Sequence, residues 1–313
     1  MPPSRTAVTL GHRLPKEPPM NDSVLTSVLL PVALAIIMFG LGLTLTVADF
    51  SRVLRMPKAV LVALGTQVIL LPVICFGLVT SFDLEPAHAA GMMLLAASPG
   101  GTTANLFSHL AGGDVALNVS LTAVNSVLAV VTLPIVVNLS LAYFLGDGQI
   151  GLQPLKMLQV FAIVLVPVAL GMLVRSRRPG FAARMTRPVK LGSILVLALV
   201  IFAAIYTERA HVLDYLAAVG AVALLLNVLS LFFGYVVPKL ARLGERQSIA
   251  CSMEIGIHNA TLALTIALSP ALLGSSEIAI PVAVYGIVMF FPTAAFAFYL
   301  SRRPTGQRAG SSV

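Results

Sequence analysis

Residues 96–105 read Ala96-Ala97-Ser98-Pro99-Gly100-Gly101-Thr102-Thr103-Ala104-Asn105, and residues 253–261 read Met253-Glu254-Ile255-Gly256-Ile257-His258-Asn259-Ala260-Thr261. Both stretches lie well inside long apolar runs. In the first, one proline and two glycines remove a backbone hydrogen bond and much of the helix propensity, so a spanning helix should break there. Lipid cannot satisfy a broken backbone; a break persists only where protein buries it or where water and ligand meet it. A simple proline kink is the plainer reading of the same residues. In the second stretch, a carboxylate deep in an apolar run costs about 3 kcal/mol unless it is paired, protonated or bound to a cation.

The surrounding composition fixes the solvent. Of 313 residues, 58% are hydrophobic and 10% charged, with a mean hydropathy of +0.97. Soluble domains carry about 45–50% apolar and about 25% charged residues, so the excess faces lipid. About 20 apolar residues span a bilayer core as a helix, and nine runs meet that criterion: 24–46, 59–80, 87–110, 115–145, 155–174, 189–206, 216–237, 249–272 and 278–300. Lys and Arg gather between these runs or at their ends. With nine spans the termini lie on opposite sides. One side collects 15 of the 20 basic residues, from Arg52, Arg55 and Lys58 through the 175–190 loop and the 239–246 turn to the C-terminus. By the positive-inside rule that side is cytoplasmic, which puts the N-terminus outside and the C-terminus inside a cell membrane.

Residues 1–23 are polar, proline-rich and basic, and Met20 stands just before the first run; residues 1–19 are either a mis-called start or a disordered extension. No cleaved signal is expected, since 24–46 is too long for a signal core. Residues 24–300 read as one transmembrane domain and 301–313 as a cytoplasmic tail. Cys75 and Cys251 both lie in apolar runs, which excludes a secreted-type disulfide framework. The basic residues are explained by topology, so nucleic acid is not an expected partner. No Gly-Lys-Ser/Thr phosphate loop occurs, which argues against a nucleotide partner. No His-Glu-x-x-His helix or pair of mid-span aspartates suggests an intramembrane enzyme, and no cofactor is expected.

The fourth run places Asn118, Thr122, Asn125 and Thr132 at offsets 0, +4, +7 and +14, one face of a helix. Taken alone, such a stripe is interhelical glue. Beside Glu254 it gains another meaning. Lys156 and Lys190 stand only at the ends of their runs and no Lys or Arg lies mid-run to serve as counter-ion, which leaves an exchangeable cation, a proton, or permanent protonation. Sodium prefers oxygen, and Asn, Thr and Glu side chains with freed carbonyls supply it. His258 lies four residues after Glu254, either as a proton acceptor or as a neutral hydrogen-bonding residue. Gln67, isolated in the second run, offers a carbonyl to a cation or serves as helix glue.

The two interrupted runs, third and eighth, lie five apart, as matching members of two five-helix repeats would. Inverted-repeat transporters place their sites between such broken helices near the midplane. Four runs in the first half against five in the second imply a missing first helix.

At these residues the chain resembles the bile acid:sodium symporter (BASS) family. The resemblance is carried by Ile37-Met38-Phe39-Gly40-Leu41-Gly42-Leu43-Thr44-Leu45, by Pro99-Gly100-Gly101-Thr102 with Asn105, and by Glu254-x-Gly256-x-His258-Asn259, in that order. It implies an all-α integral membrane fold of nine transmembrane helices in inverted repeats, 24–145 and 155–300. Two crossed discontinuous helices would sit in a core domain that moves against a panel domain. One sodium site would use Asn105, Asn118, Thr122, Glu254 and the carbonyl of Ala104. A second would use Gln67, Glu254, the carbonyls of Ile255 and Ile257, and His258, where many relatives carry Gln; since histidine offers no oxygen, that site is weaker, absent or taken by a proton. Thr102 and Asn259, opening the second halves of their helices, would meet an anionic substrate. Met289, Phe290 and Phe291 form either an apolar wall for a greasy anion or a lipid-facing surface. The implied function is sodium-coupled symport of an organic anion, bile-acid-like or a small carboxylate. Proton coupling through Glu254 and His258, and an enzyme or sensor without transport, are the alternatives.

Overall fold

A computed structural model describes residues 38–146, 154–189, 212–270 and 272–302, with isolated positions at 32, 35, 36, 191, 192 and 195. Among the described residues the chain is helical, without strands. The sequence runs at 189–206 and before 38, together with the flanking segments 1–23 and 303–313, lie wholly or largely outside the described residues.

Residues 38–44 are helical and stop before a short amphipathic helix, α1 (Val47–Arg55). Asp49 caps this helix: its Oδ2 accepts from the Thr46 amide at 2.8 Å and the Thr46 hydroxyl at 2.7 Å. Arg52 and Arg55 fill its last turn. Next comes α2 (Pro57–Ser81), 25 residues long and apolar enough to span. Its middle, Thr66–Leu70, is a π-helical turn. Pro72 explains the turn: without an N–H it cannot serve the carbonyl one turn back, and a widened turn absorbs the misfit. Gln67 is buried on that turn.

The third run becomes two helices, α3 (Pro86–Ala97) and α4 (Ala104–Leu110). α3 is buried all round, as a helix apolar on every face must be. α5 (Val115–Leu145) follows, capped by Asp114, whose Oδ1 accepts from the Leu117 amide at 3.0 Å. Its 31 residues extend about 46 Å at about 1.5 Å each, longer than a hydrocarbon core. Further on are α6 (Pro154–Arg177) and α7 (Val212–Leu240). The eighth run is again divided, into α8 (Glu245–Gly256) and α9 (Ala260–Leu268). α10 (Ser276–Val288) and α11 (Phe290–Ser301) form one 26-residue apolar span.

Four helical stretches among the described residues are long and apolar enough to cross a membrane: Pro57–Ser81, Val115–Leu145, Val219–Leu240 and Ser276–Ser301. The chain is therefore a multi-pass membrane protein. Cys75 and Cys251 are buried free thiols.

The Gly40-Leu41-Gly42 stretch is explained by packing. Gly42 meets α6 at Gly171 so closely that a Cβ on either would fall on the other's backbone. Small residues give membrane helices this contact, where dispersion rather than water drives association. Gly42→Leu is expected to separate residues 38–44 from α6 and to lower the thermal midpoint in detergent by several degrees, since overpacking costs about 1–3 kcal/mol.

Candidate functional site

Each break is satisfied by the other. Ser98 turns extended, as a residue before proline must, and ends α3. Ile257 turns extended and ends α8. Gly100 and His258 then pair as an isolated antiparallel bridge. The Gly101 amide donates to the Ile257 carbonyl at 2.7 Å, and the Asn259 amide donates to the Pro99 carbonyl at 2.8 Å. The third run therefore does not merely kink; the backbone opens over residues 98–103 and crosses the second opening. Backbone groups that lipid could not serve find partners here.

Glu254 sits in the last turn of α8, only 2% exposed. Its Oε2 accepts from the Thr122 hydroxyl of α5 at 2.6 Å. The Asn125 side chain and the Gly100 amide lie close to the same carboxyl. Gly100 has to be glycine, because a Cβ there would fall on the Glu254 carboxyl itself. Glu254 Oε1 has no hydrogen-bond partner among the described residues. A buried carboxyl oxygen without a well-aligned donor is costly.

Other candidates collect around it to different degrees. Asn118, fully buried, donates from Nδ2 to the Ala250 carbonyl at 2.8 Å, bracing α5 against α8. Gln67 donates from Nε2 to the Ser98 carbonyl at 3.1 Å, tying the π-turn to the first break. The oxygens of both amides, and that of Asn105, are buried without a partner. Asn105 donates at 3.5 Å to the Thr102 carbonyl within its own turn, so it stands near the crossing without touching Glu254 through a hydrogen bond. Ala104 is buried at the start of α4. Ile255 and Ile257 are fully buried, and the Ile257 carbonyl already accepts from Gly101.

Two placements differ from the sequence reading. Thr102 does not open the second half of its helix: Thr103 is the N-cap of α4, and Thr102 is exposed one residue earlier, because the two glycines carry the open backbone as far as Thr103. Thr132 leaves the polar stripe; it is half-buried and its hydroxyl bonds the Leu128 carbonyl at 3.2 Å. Asn259 does cap α9, its Oδ1 accepting from the Leu262 amide at 3.0 Å. Of the apolar trio, Met289 is buried, Phe290 stacks on Phe107 with centroids 6.2 Å apart, and Phe291 is exposed.

Sequence reasoning missed Asn227 and Tyr285. Asn227 Nδ2 donates to the Gly256 carbonyl at 2.7 Å and to the Tyr285 hydroxyl at 3.1 Å, and that hydroxyl lies 2.9 Å from His258 Nδ1. Each was a polar group in the middle of an apolar run, which was the available signal.

Among the described residues no group of three His, Cys, Asp or Glu side chains could hold a metal ion. One carboxylate beside amide and hydroxyl oxygens matches a singly charged hard cation. Thr122→Val, which keeps shape and removes the hydroxyl that bonds Glu254, is expected to lower stability by about 1.5–3 kcal/mol, read as a drop in the melting midpoint, since a hydrogen bond to a charged group contributes about that much.

The sequence profile described as the Sodium Bile acid symporter family matches residues 31–215. The chain belongs to the sodium bile acid symporter family. It is 27% identical over 280 residues to an uncharacterized sodium-dependent transporter of Bacillus subtilis, covering 90% of this chain and 85% of that protein. It is 30% identical over 271 residues to the sodium/bile acid cotransporter 4 of Rattus norvegicus, covering 84% of this chain and 62% of that protein. The hepatic sodium/bile acid cotransporter of Homo sapiens is 28% identical over 279 residues, 88% of this chain and 76% of its own length. Membership makes the chain a membrane transport protein of the symporter class.

Proposed function

We propose that this chain is a secondary active transporter that couples inward sodium movement to uptake of an organic anion by alternating access. The observation that carries the reading is Glu254 Oε1, a buried carboxyl oxygen at the helix crossing without a donor. A sodium ion there is neutralised by Glu254 with Asn105, Asn118, Thr122 and the carbonyl of Ala104 as its ligands, while Gln67 and the carbonyls of Ile255 and Ile257, beside His258, are the ligands of a second position on the same carboxylate. Sodium is cargo at this site. Its charge cancels that of Glu254, which lowers the cost of moving either across a low-dielectric barrier.

An organic anion, bile-acid-like or a small carboxylate, binds beside the same crossing. The first turn of α9 offers backbone amides and a positive helix end to an acidic group, with Asn259 at its cap. Thr102, exposed at the opening before α4, meets the substrate beside Asn259. Nine spans in four-plus-five inverted repeats, with a core domain rocking against a panel domain, supply the alternating access. The basic loops keep the N-terminus outside and the C-terminus cytoplasmic.

A thermal-shift screen of purified protein against organic anions, with sodium or with choline, tests this reading. Joint stabilisation by one anion and sodium is expected, with uptake of that anion into proteoliposomes driven by an inward sodium gradient. Uptake that ignores sodium and follows a pH gradient would instead assign the coupling to a proton on Glu254, and ligand binding with no flux would remove transport altogether.

A further inference from the structure

The short helix α1 presents three faces, and only one of them meets protein. With about 3.6 residues per turn, Asp49, Phe50 and Val53 fall on one side, buried or half-buried. Arg52 fastens the helix there: its guanidinium donates to Asp49 Oδ1 at 3.2 Å and to the Ala116 carbonyl of α5 at 3.4 Å. Val47 and Leu54 share a second side, 73% and 81% exposed. Ser51 and Arg55, also exposed, stand on the third.

Facing water, Val47 and Leu54 would leave most of their apolar surface unburied. Their place in the chain supplies another solvent. Only Met56 separates α1 from α2, whose 25 residues from Pro57 are long and apolar enough to span a bilayer. α1 therefore lies where a spanning helix meets water, the level at which acyl chains and phosphate headgroups are both within reach.

Charge at this end is unbalanced. Gln247 Nε2 donates to the Met56 sulfur at 3.6 Å, so the start of α8 lies beside the joint of α1 and α2. The acids here are already engaged: Asp49 by Thr46 and Arg52, Asp114 by the Leu117 amide, and Glu245 by Lys239 and Tyr235. Arg55, Lys58, Arg242 and Arg246 are exposed and make no ion pair among the described residues. The charge bias of loops accounts for the sign of these residues. It does not account for the bare apolar side of α1 next to them.

We propose that α1, together with Arg55, Lys58, Arg242 and Arg246, is a binding surface for anionic phospholipid headgroups. Val47 and Leu54 enter the acyl boundary, and the cations take the phosphate and negative charge of lipids in that leaflet. This role does not depend on which ion or anion the chain moves.

The full chain in detergent, titrated with phosphatidylglycerol, phosphatidylcholine or glycerol phosphate and read by native mass spectrometry, tests the surface. Phosphatidylglycerol is expected to bind at least about tenfold more tightly than phosphatidylcholine, since each cation near a headgroup contributes about a factor of five. The double variant Arg55→Gln, Lys58→Gln should lose at least about tenfold of that preference. Arg184→Gln with Arg187→Gln, which removes the same charge from other exposed positions, should lose much less. Equal affinity for the two lipids, or an equal loss in both double variants, overturns the proposal. Glycerol phosphate binding as tightly as the lipid would make the surface one for a free anion and overturn it too. A spin label on Leu54→Cys in nanodiscs tests the depth of α1, with Cys75 and Cys251 buried away from the reagent. Faster relaxation by oxygen, which partitions into lipid, than by a water-soluble nickel chelate is expected; the reverse takes α1 out of the membrane boundary and overturns the assignment.

Discussion

Replacing Glu254 with glutamine is expected to weaken sodium binding at least about a hundredfold, equivalent to about 2.8 kcal/mol, and to abolish sodium-driven uptake with the protein still folded. The substitution keeps the shape of the side chain and one carbonyl oxygen, so the Thr122 hydroxyl retains an acceptor in place of Oε2. What disappears is the charge. A unit pair about 4 Å apart interacts by about 4 kcal/mol at an effective dielectric near 20, the value that suits most protein sites. The apo protein should become no less stable, because a carboxamide costs less to bury than a carboxylate whose second oxygen has no donor. Loss of sodium binding together with an unchanged or raised melting midpoint in sodium-free buffer is thus the signature of a cation site. A folded Glu254→Gln protein that binds sodium like the wild type would contradict it.

Gly100→Ala should be nearly as damaging for a different reason. The added methyl falls on the Glu254 carboxyl, and the backbone on either side cannot retreat. Pro99 is held by the Asn259 amide, and Gly101 holds Ile257. Either the crossing opens and loses these bonds, or Glu254 leaves Thr122. The expected outcome is a fall in stability of about 1–3 kcal/mol with sodium affinity lowered more than tenfold. Gly77→Ala supplies the contrast. A Cβ at Gly77 meets nothing within 4 Å, and the change gains helix propensity worth up to about 1 kcal/mol. Circular dichroism melts and radioactive sodium binding on both variants check the pair; equal behaviour would mean that the close approach at Gly100 has no functional weight.

The two breaks were legible because their cause is local. Pro99 with Gly100 and Gly101 removes a hydrogen bond and much of the helix propensity over three successive residues, and Gly256 weakens the helix that carries Glu254. The face formed by Asn118, Thr122 and Asn125 was legible from helical period alone, and all three are buried on α5. What the sequence hid depends on distant packing. No local pattern says that Asn227 of α7 and Tyr285 of α10 converge on Gly256 and His258, since the partners lie 27 to 58 residues apart. The departure of Thr132 is equally tertiary: two turns beyond Asn125, the stripe has drifted off the face that α8 covers. Thr102 was misplaced by one residue because two glycines leave the helix start open, and the helical ladder begins at the Thr103 carbonyl, which accepts from the Phe107 amide.

The most direct test is a sodium titration of the thermal midpoint, in purified wild-type and Glu254→Gln protein, with N-methylglucamine replacing sodium at constant ionic strength. An ion that binds only the folded state stabilises it by RT ln(1 + [L]/Kd), about 2.7 kcal/mol at a hundred times Kd. The expected result is a rise of several degrees in the wild type that saturates with sodium, and a flat line in Glu254→Gln. A rise of the same size in both proteins, or an equal rise in N-methylglucamine, would contradict the assignment of Glu254 as the residue that holds the travelling ion.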